Sequence, residues 1–353
     1  MHLQCIPLVG FLLIGTVLCQ YGQYYDYGGG SPDDYYSSYS NFAMGPSTAN
    51  CAPECNCPSN YPSAMYCDNL KLKKIPIVPS GIHYLYLQNN MIEGIDDDAF
   101  KNVTDLKWLI LDHNHLTNAN IKKNAFSKLK ELQKLYVSFN NLTELVGPLP
   151  KTMDDLRANN NKISKITPNI LEGLENLTVV HLQHNKLKED SISGAFKGLK
   201  SLVYLDLSYN ELSKVPMGLP PSINMLYFDN NKITNVPDEY FQGFRSLQYL
   251  RLSNNELKDA GVPGNAFNIS TLLELDLSFN SLGSIPAVNE GLENLYLHVN
   301  KIQKFNLNSF CKVVGPLEYS RIRHLRLDGN NISRADLPHD LHNCLRLASD
   351  IEL

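Results

Sequence analysis

Hydrophobic and polar positions follow one recurring pattern through most of this chain of 353 residues. The pattern reads apolar, two variable residues, apolar, one variable, apolar, two variable, Asn, one variable, apolar, and it occurs eleven times between Ile82 and Ile332. Its anchoring asparagines are Asn90, Asn114, Asn140, Asn161, Asn185, Asn210, Asn231, Asn255, Asn280, Asn300 and Asn330. A repeat of this length predicts a solenoid in which each copy adds one short strand.

This pattern is the leucine-rich repeat, and its residue types follow from the burial that a stacked strand requires. Side chains such as Leu205 and Leu207 cannot be covered within one copy, so neighbouring copies must stack into a curved parallel sheet. The Asn side chain offers donors and an acceptor to the backbone where each strand turns inward, so we interpret it as structural. We therefore expect an α/β repeat fold with the sheet on its concave face.

The spacing of the asparagines has a rhythm of one short and two long repeats. Successive intervals are 24, 26, 21, 24, 25, 21, 24, 25, 20 and 30 residues. The short repeats contain prolines that favour polyproline-like backbone on the convex side, namely Pro148, Pro150, Pro220, Pro221 and Pro286. In the longer repeats, residues 124–129 and 194–199 are expected to form a short turn of helix or 3₁₀ helix. The last interval predicts an excursion between Ile302 and Ile322.

Cysteines flank the repeats. Cys51, Cys55, Cys57 and Cys67 precede the first copy, and Cys311 and Cys344 surround the last. An even number of cysteines in a secreted chain predicts disulfides, which would cap the open ends of the solenoid. The first four cysteines allow three connectivities. A zinc cluster is the alternative, but the spacing does not repeat Cys-x-x-Cys and the compartment is oxidising.

The N-terminus predicts secretion. An apolar run from Ile6 to Leu18 is too short to span a bilayer and is followed by polar, glycine-rich sequence, so we interpret residues 1–19 as a signal peptide cleaved after Cys19. Gln20 would then be the first residue and a candidate for pyroglutamate formation. Because no apolar run of about 18 residues or more follows, we expect no membrane span.

Residues 20–50 form a low-complexity tail with seven tyrosines, three aspartates and no Lys or Arg. It has almost no aliphatic residues to bury, so we expect it to be disordered. Tyrosines beside acidic residues in such a tail are candidates for sulfation, and an unmodified Tyr/Gly linker is the alternative. The candidates are Tyr21, Tyr24, Tyr25, Tyr27, Tyr35, Tyr36 and Tyr39. Sulfation of all seven would strengthen the attraction of the tail for basic partners.

The cluster Cys51-x₃-Cys55-x-Cys57-x₉-Cys67, the repeat rhythm and the excursion that holds Cys311 resemble the class II small leucine-rich proteoglycans. The resemblance covers the whole mature chain. It implies an extracellular-matrix protein with a Cys-rich N-terminal cap at residues 51–81, repeats one to ten at 82–302, and an "ear" repeat, last repeat and C-terminal cap at 303–353. The disulfides it implies are Cys51–Cys57, Cys55–Cys67 and Cys311–Cys344.

Five sequons lie within the repeats, at Asn102, Asn141, Asn176, Asn268 and Asn331. In a secreted protein each is a candidate N-glycosylation site. The family resemblance implies keratan sulfate at the first four. Asn331 departs from the family pattern and directly follows a repeat asparagine, so crowding leaves its occupancy open.

Binding is predicted on the concave face, where outward side chains alternate with the buried ones. The central repeats place acidic groups there together with an aromatic and a basic residue: Asp206, Tyr227, Asp229, Arg251, Glu274 and Asp276. Tyr and Arg are enriched at binding hot spots, and eleven strands about 4.8 Å apart make a trough roughly 50 Å long. An elongated partner with basic side chains suits this trough, and the resemblance implies fibrillar collagen, with a role in fibril assembly, diameter and spacing.

Two other interpretations of these side chains stay open. Any one concave Asp can simply pair with a neighbour such as Arg251, and an exposed pair of this kind contributes less than about 1 kcal/mol. Alternatively, the protein is a soluble recognition module that presents microbial lipid or a growth factor to cell-surface or pattern-recognition receptors. We find no catalytic constellation, phosphate-binding loop or metal-ligand spacing. We therefore expect no enzyme activity, no cofactor and no nucleic-acid partner.

Overall fold

The computed structural model describes residues 51–167, 169–313 and 318–353. The predictions for the signal peptide, Gln20 and the tyrosines of the tail lie outside these residues.

The described residues form one parallel sheet whose strand order follows the chain. Its thirteen strands have three residues each: β1 (Ala64–Tyr66), β2 (Tyr84–Tyr86), β3 (Trp108–Ile110), β4 (Lys134–Tyr136), β5 (Asp155–Arg157), β6 (Val179–His181), β7 (Tyr204–Asp206), β8 (Met225–Tyr227), β9 (Tyr249–Arg251), β10 (Glu274–Asp276), β11 (Asn294–Tyr296), β12 (His324–Arg326) and β13 (Asp350–Glu352). The central residues of successive strands lie opposite one another, as Leu205 of β7 does with Leu226 of β8. Both are completely buried in a core that is continuous along the solenoid, which is therefore one cooperative unit.

The repeat asparagines hydrogen-bond the backbone of their own turn and of the preceding repeat. The Nδ2 of Asn185 donates to the carbonyls of Ala158 (3.0 Å) and Leu182 (3.1 Å), and its Oδ1 accepts from the N–H of Ile163 (2.9 Å). Asn210 repeats this arrangement one turn later. Each amide therefore satisfies a buried N–H that would otherwise lack a partner, and it shares buried carbonyls with the next repeat asparagine along the chain or the one before it.

The residue before each of these asparagines has a left-handed backbone. Ten of the eleven positions carry a non-glycine residue, with φ between 49° and 56°. Left-handed backbone at this point ends the strand and turns the chain inward, so that the asparagine reaches the carbonyls of its neighbours.

Helical elements on the connecting segments are few and short. The α-helices are α1 (Glu189–Ile192) and α2 (Leu341–Cys344). The 3₁₀ helices are Asn118–Asn120, Tyr240–Gly243, Asp259–Gly261, Leu307–Ser309 and Arg334–Asp336.

The helical turns expected at residues 124–129 and 194–199 are absent, and that prediction was wrong. These segments form consecutive tight turns, in which the N–H of Ala125 donates to the carbonyl of Lys122 and that of Leu129 to Phe126. Because Phe126 and Leu129 are both buried, the turns bring two large apolar side chains into the core within a short stretch. The helical elements of these two repeats, Asn118–Asn120 and α1, lie a few residues earlier.

Both ends of the solenoid carry disulfides. Cys51 is bonded to Cys57, Cys55 to Cys67, and Cys311 to Cys344, which is the connectivity that the family resemblance implies. At the N-terminal end Asn56 pairs antiparallel with Tyr66 of β1, each N–H donating to the other residue's carbonyl at 2.8 Å. The outer edge of the sheet is thereby covered.

Asn185→Ala tests the structural role of the repeat asparagines. It would leave the buried N–H of Ile163 without a partner, at about 1–3 kcal/mol, while the two carbonyls would keep donors from the flanking repeat asparagines. We expect the free energy of unfolding in urea to fall by about 2 kcal/mol. Lys186→Ala, an exposed neighbour, is the control and should change it by less than about 0.5 kcal/mol. Equal losses in the two variants would contradict the role assigned to the amide.

Candidate functional site

The concave face brings the predicted site residues together on four neighbouring strands. Asp206 lies on β7, Tyr227 on β8, Arg251 on β9, and Glu274 and Asp276 on β10. The register sets Asp206 beside Tyr227, Tyr227 beside Arg251, and Arg251 beside Asp276. We call Tyr227, Asp229, Arg251, Glu274 and Asp276 the Arg251 cluster.

Arg251 is the centre of this cluster. Its guanidinium carbon lies 4.9 Å from the centre of the Tyr227 ring, and its Nη2 contacts Glu274 Oε1 at 3.3 Å. Burial acts to lower the pKa of Arg251, but the negative charges around it outweigh burial and hold the pKa above its ordinary value. The Nε of Arg251 is buried without a hydrogen-bond partner. A buried N–H of this kind is costly unless a ligand supplies an acceptor.

Asp229 is held at the end of β8. Its Oδ1 accepts a hydrogen bond from the N–H of Ser253 at 2.8 Å. Burial raises the pKa of Asp229 to about 7, and the nearby charge of Asp276 adds to this effect. Near neutral pH the carboxyl of Asp229 is therefore divided between its protonated and ionised forms.

The remaining acidic groups are fixed by the turns that end their strands. Asp276 Oδ1 accepts from the N–H of Ser278 at 2.9 Å and from its hydroxyl at 2.6 Å. Asp206 accepts in the same way from the N–H of Ser208 at 2.9 Å. These bonds orient both carboxylates on the concave face before any partner arrives.

A second cluster, which the sequence analysis did not single out, lies on β4 and β5. The Arg157 guanidinium lies 4.4 Å from the centre of the Tyr136 ring, just as Arg251 covers Tyr227. Arg157 Nη2 contacts Asp155 Oδ2 at 3.1 Å, and the Tyr136 hydroxyl donates to the same oxygen at 2.6 Å. We call these three residues the Arg157 cluster. The signal that could have found it is a Tyr and an Arg four residues before successive repeat asparagines.

The two clusters differ in how many of their polar side-chain atoms already make hydrogen bonds. Both side-chain oxygens of Asp155 are engaged, because Arg157 Nε also donates to Oδ1 at 3.2 Å. The Arg251 cluster has three carboxyl groups around one guanidinium and retains the unpartnered Nε of Arg251. The capacity to bind another charged or polar group is therefore greater in the Arg251 cluster.

The N-terminal part of the concave face is aromatic. The rings of Tyr66 and Tyr86 stack with centres 4.7 Å apart, and those of Tyr84 and Trp108 meet edge to face at 5.0 Å. Lys134 Nζ lies 4.8 Å from the centre of the Trp108 ring. The face thus changes from aromatic near its N-terminal end to acidic in its middle.

On either side of the Arg157 cluster, the pKa of one further titratable group is shifted by burial. Burial raises the pKa of Asp112 to about 7, although its Oδ1 accepts from the N–H of Ser138 at 2.6 Å. Burial lowers the pKa of His181 to about 4. Both groups are therefore less charged at neutral pH than their exposed counterparts would be.

The described ranges contain no group of three or more His, Cys, Asp or Glu side chains placed to hold a metal ion. Among these same residues, no helix has the length and apolar character needed to cross a bilayer.

Comparisons with known proteins agree with this architecture. The leucine rich repeat family model matches residues 80–142, 153–212 and 221–282, and the leucine rich repeat N-terminal domain matches residues 50–80. The chain is 67% identical to lumican of Gallus gallus over 353 residues and 62% identical to lumican of Homo sapiens, with all of each chain covered. It is 48% identical to fibromodulin of Homo sapiens over 94% of this chain and 84% of that one.

The chain belongs to the class II small leucine-rich proteoglycans. This membership places it in the extracellular matrix, as a structural proteoglycan and not an enzyme. Among solved structures, a chain of the octameric complex of Latrophilin 3, Unc5D and FLRT2 is similar, with a TM-score of 0.68 at 26% identity over 85% of this chain and 83% of that one. A Leptospira interrogans leucine-rich repeat protein, with a TM-score of 0.56 at 20% identity over 81% and 82%, shares the fold.

The sequons of this proteoglycan lie outside the strands. Asn102, Asn176 and Asn331 are exposed, whereas Asn141 and Asn268 are half-buried. The Oδ1 of Asn141 accepts from Lys162 Nζ at 2.8 Å, and that of Asn268 accepts from Asn289 Nδ2 at 3.3 Å. Asn331 is exposed despite its place directly after a repeat asparagine, so the side chain itself is accessible to solvent.

Asp229→Asn tests the burial of this carboxyl. Because the pKa in the folded protein, about 7, exceeds the ordinary 3.8, Asp229 favours folding at low pH, and this contribution is lost as pH rises through about 7. Asn can still accept from Ser253 and carries no charge. We expect the stability of Asp229→Asn relative to the parent to rise between pH 5 and pH 8, measured by urea unfolding at each pH.

Asp155→Asn is the matched control for that experiment. It removes the partner of Arg157, so it should destabilise the protein at both pH values. A loss of more than about 1 kcal/mol in Asp229→Asn at pH 8 would contradict the account of Asp229 as a destabilised ion.

Proposed function

We propose that this proteoglycan binds fibrillar collagen through the Arg251 cluster, and that keratan sulfate chains on its N-glycans set the spacing of the fibrils it coats. Binding along the fibril surface would limit lateral growth and so regulate fibril assembly and diameter. The observation that carries the proposal is the unpartnered Nε of Arg251 within a surplus of carboxyl groups.

The chemistry of the triple helix fits these groups. Collagen has glycine at its axis, so the side chains at its other two positions point outward, and Lys or Arg among them can reach a concave surface. Asp229, Glu274 and Asp276 supply the opposite charge. The Arg251 Nε would donate to a backbone carbonyl of the partner, which removes the cost of leaving this N–H unpaired.

The dimensions of the sheet also suit an elongated partner. The strands β7 to β10 span about 15 Å at a spacing of about 4.8 Å, which is wide enough for one rod-like helix. Asp206 and Asp276 are fixed by hydrogen bonds to their own turns, and Asp229 by one from the next repeat, so little ordering is needed on binding.

The proposed glycan sites leave this surface free. Asn102, Asn141, Asn176 and Asn268 all lie outside the strands, so chains attached there would project from the loops. A molecule bound to a fibril by its sheet would then carry its sulfated chains on its other surfaces. Like charges on neighbouring fibrils would repel within the Debye length, which keeps the fibrils apart.

A second candidate function has one observation in its favour. The aromatic end of the concave face, with the Tyr66–Tyr86 stack and the Tyr84–Trp108 pair, would suit an apolar or mixed ligand better than a cationic rod. A recognition module that presents a microbial lipid or a growth factor to a receptor would use this end. Collagen binding at the Arg251 cluster leaves it unoccupied, so the two functions are compatible.

We expect Asp229→Asn to weaken binding of the enzymatically deglycosylated protein to immobilised collagen fibrils by about tenfold, equivalent to about 1.4 kcal/mol. Arg251→Ala and Tyr227→Ala should weaken it in the same direction. Asp155→Asn, in the closed Arg157 cluster, is the control and should change the dissociation constant by less than about twofold.

Deletion of residues 20–50 separates the sheet from the tail. Exposed, flexible charge is screened within about 8 Å at physiological ionic strength, so the deletion should leave most of the affinity intact. Binding that is lost on deletion while all three Arg251-cluster variants bind normally would place the site in the tail.

Collagen binding should also depend on pH. Asp229 is protonated below about 7 because of its burial, and a cationic partner favours the ionised form, so affinity should rise by about two- to fourfold between pH 6.5 and pH 8. Burial holds the pKa of the nearby His298 below 6.5, so His298 changes charge little over this range. Surface plasmon resonance at both pH values should show the rise in the parent and a flat response in Asp229→Asn. A rise of the same size in both proteins would exclude Asp229 as its cause.

A further inference from the structure

Four bulky residues occupy the left-handed position before a repeat asparagine. Phe139, Tyr209, Phe279 and Val299 have φ of 52° or 53° and are 40–47% exposed. Bulky side chains are uncommon at positive φ, and such strain often marks a functional surface. Since these side chains are also partly exposed, burial in the core does not explain them.

The ring of Phe139 stacks on a neighbour from the preceding repeat. The ring of His113, from the preceding repeat, stacks on it with centres 4.1 Å apart and planes 11° from parallel. The opposite face of the Phe139 ring is directed toward the following repeat, where the residue at the same position is Asn160.

Asn141 is a sequon asparagine close to Phe139 in the sequence. It comes two residues after Phe139 and begins the sequon Asn141-Leu142-Thr143. Its Oδ1 accepts from Lys162 Nζ at 2.8 Å, and Lys162 belongs to the following repeat. The Asn141 side chain and the second face of Phe139 are thus both directed toward the following repeat.

We propose that Phe139 is a platform for the first sugar of an N-glycan on Asn141. One face of an N-acetylglucosamine ring carries mainly C–H groups, which bury apolar area when they pack on an aromatic ring. His113 supports the ring from behind and fixes its orientation. The glycan leaves the protein in a defined direction, and the contact helps to stabilise the strained backbone at Phe139.

This inference depends on the proposed glycosylation of Asn141 but not on collagen binding. Its tests use no collagen, so the two proposals fail on different results.

The chain contains a matched control three repeats later. Tyr209 has the same φ of 53° and stacks on His184 with ring centres 4.0 Å apart and planes 14° from parallel. Two residues after it stands Glu211 instead of a sequon asparagine. The Tyr209 site therefore reproduces the stacked pair and the backbone without the glycan.

The test is a thermodynamic cycle on the full secreted chain. Phe139→Leu, Asn141→Gln and the double variant are compared with the parent by thermal unfolding. We expect Phe139→Leu to lower the melting temperature by about 1–3 °C more in the glycosylated background than beside Asn141→Gln. Tyr209→Leu should cost the same in both backgrounds. Phe139→Trp, which keeps a ring face, should retain the coupling.

Enzymatic release of the glycan gives a second measurement on folded protein. Peptide N-glycosidase should release the Asn141 glycan several-fold faster from Phe139→Leu than from the parent, with the rates at Asn102 and Asn176 unchanged, as followed by peptide mapping. Equal costs of Phe139→Leu in both backgrounds together with an unchanged release rate would overturn the proposal. An unmodified Asn141 in the secreted parent would overturn it as well.

Discussion

The structure depends on one interaction, the hydrogen bonding of a buried asparagine amide to the backbone of two successive repeats. Asn185 shows its full form, with an acceptor for the N–H of Ile163 and donors for the carbonyls of Ala158 and Leu182. Because this amide closes each turn, strands of only three residues suffice to build the sheet. The outward side chains of those strands then project from the sheet, where they can form a binding surface.

That surface uses one motif in two ways. A Tyr on one strand and an Arg on the next form a stacked pair at both Tyr136–Arg157 and Tyr227–Arg251. Asp155, on the same strand as Arg157, engages the first guanidinium closely and closes that cluster. Around the second guanidinium the acidic groups lie on neighbouring strands and turns, so the hydrogen-bond donors of Arg251 are less fully engaged than those of Arg157. The position of the carboxyl groups therefore distinguishes a structural cluster from a candidate binding site.

The sequence predicts what depends on periodicity and misses what depends on side-chain geometry. It indicates eleven repeats and the acidic middle of the concave face, but it does not predict strands β1 and β13. In the turn of chain that contains β1, Cys67 occupies the third apolar position of the repeat pattern and Leu70 occupies the position of the asparagine. The repeat pattern is therefore not recognisable there. The Arg157 cluster and the burial of Asp229 depend on which side chains touch, and charge counts along the chain cannot supply that information.

Zero-length carbodiimide cross-linking to a lysine-containing collagen peptide in its triple-helical form would show which carboxyl groups of the protein contact a bound triple helix. This chemistry joins only a carboxylate and an amine that are already in contact. Mass spectrometry should find cross-links from Asp229, Glu274 or Asp276 to lysines of the peptide. Cross-links confined to aspartates of residues 20–50, or to acidic residues of other repeats, would contradict binding through the Arg251 cluster.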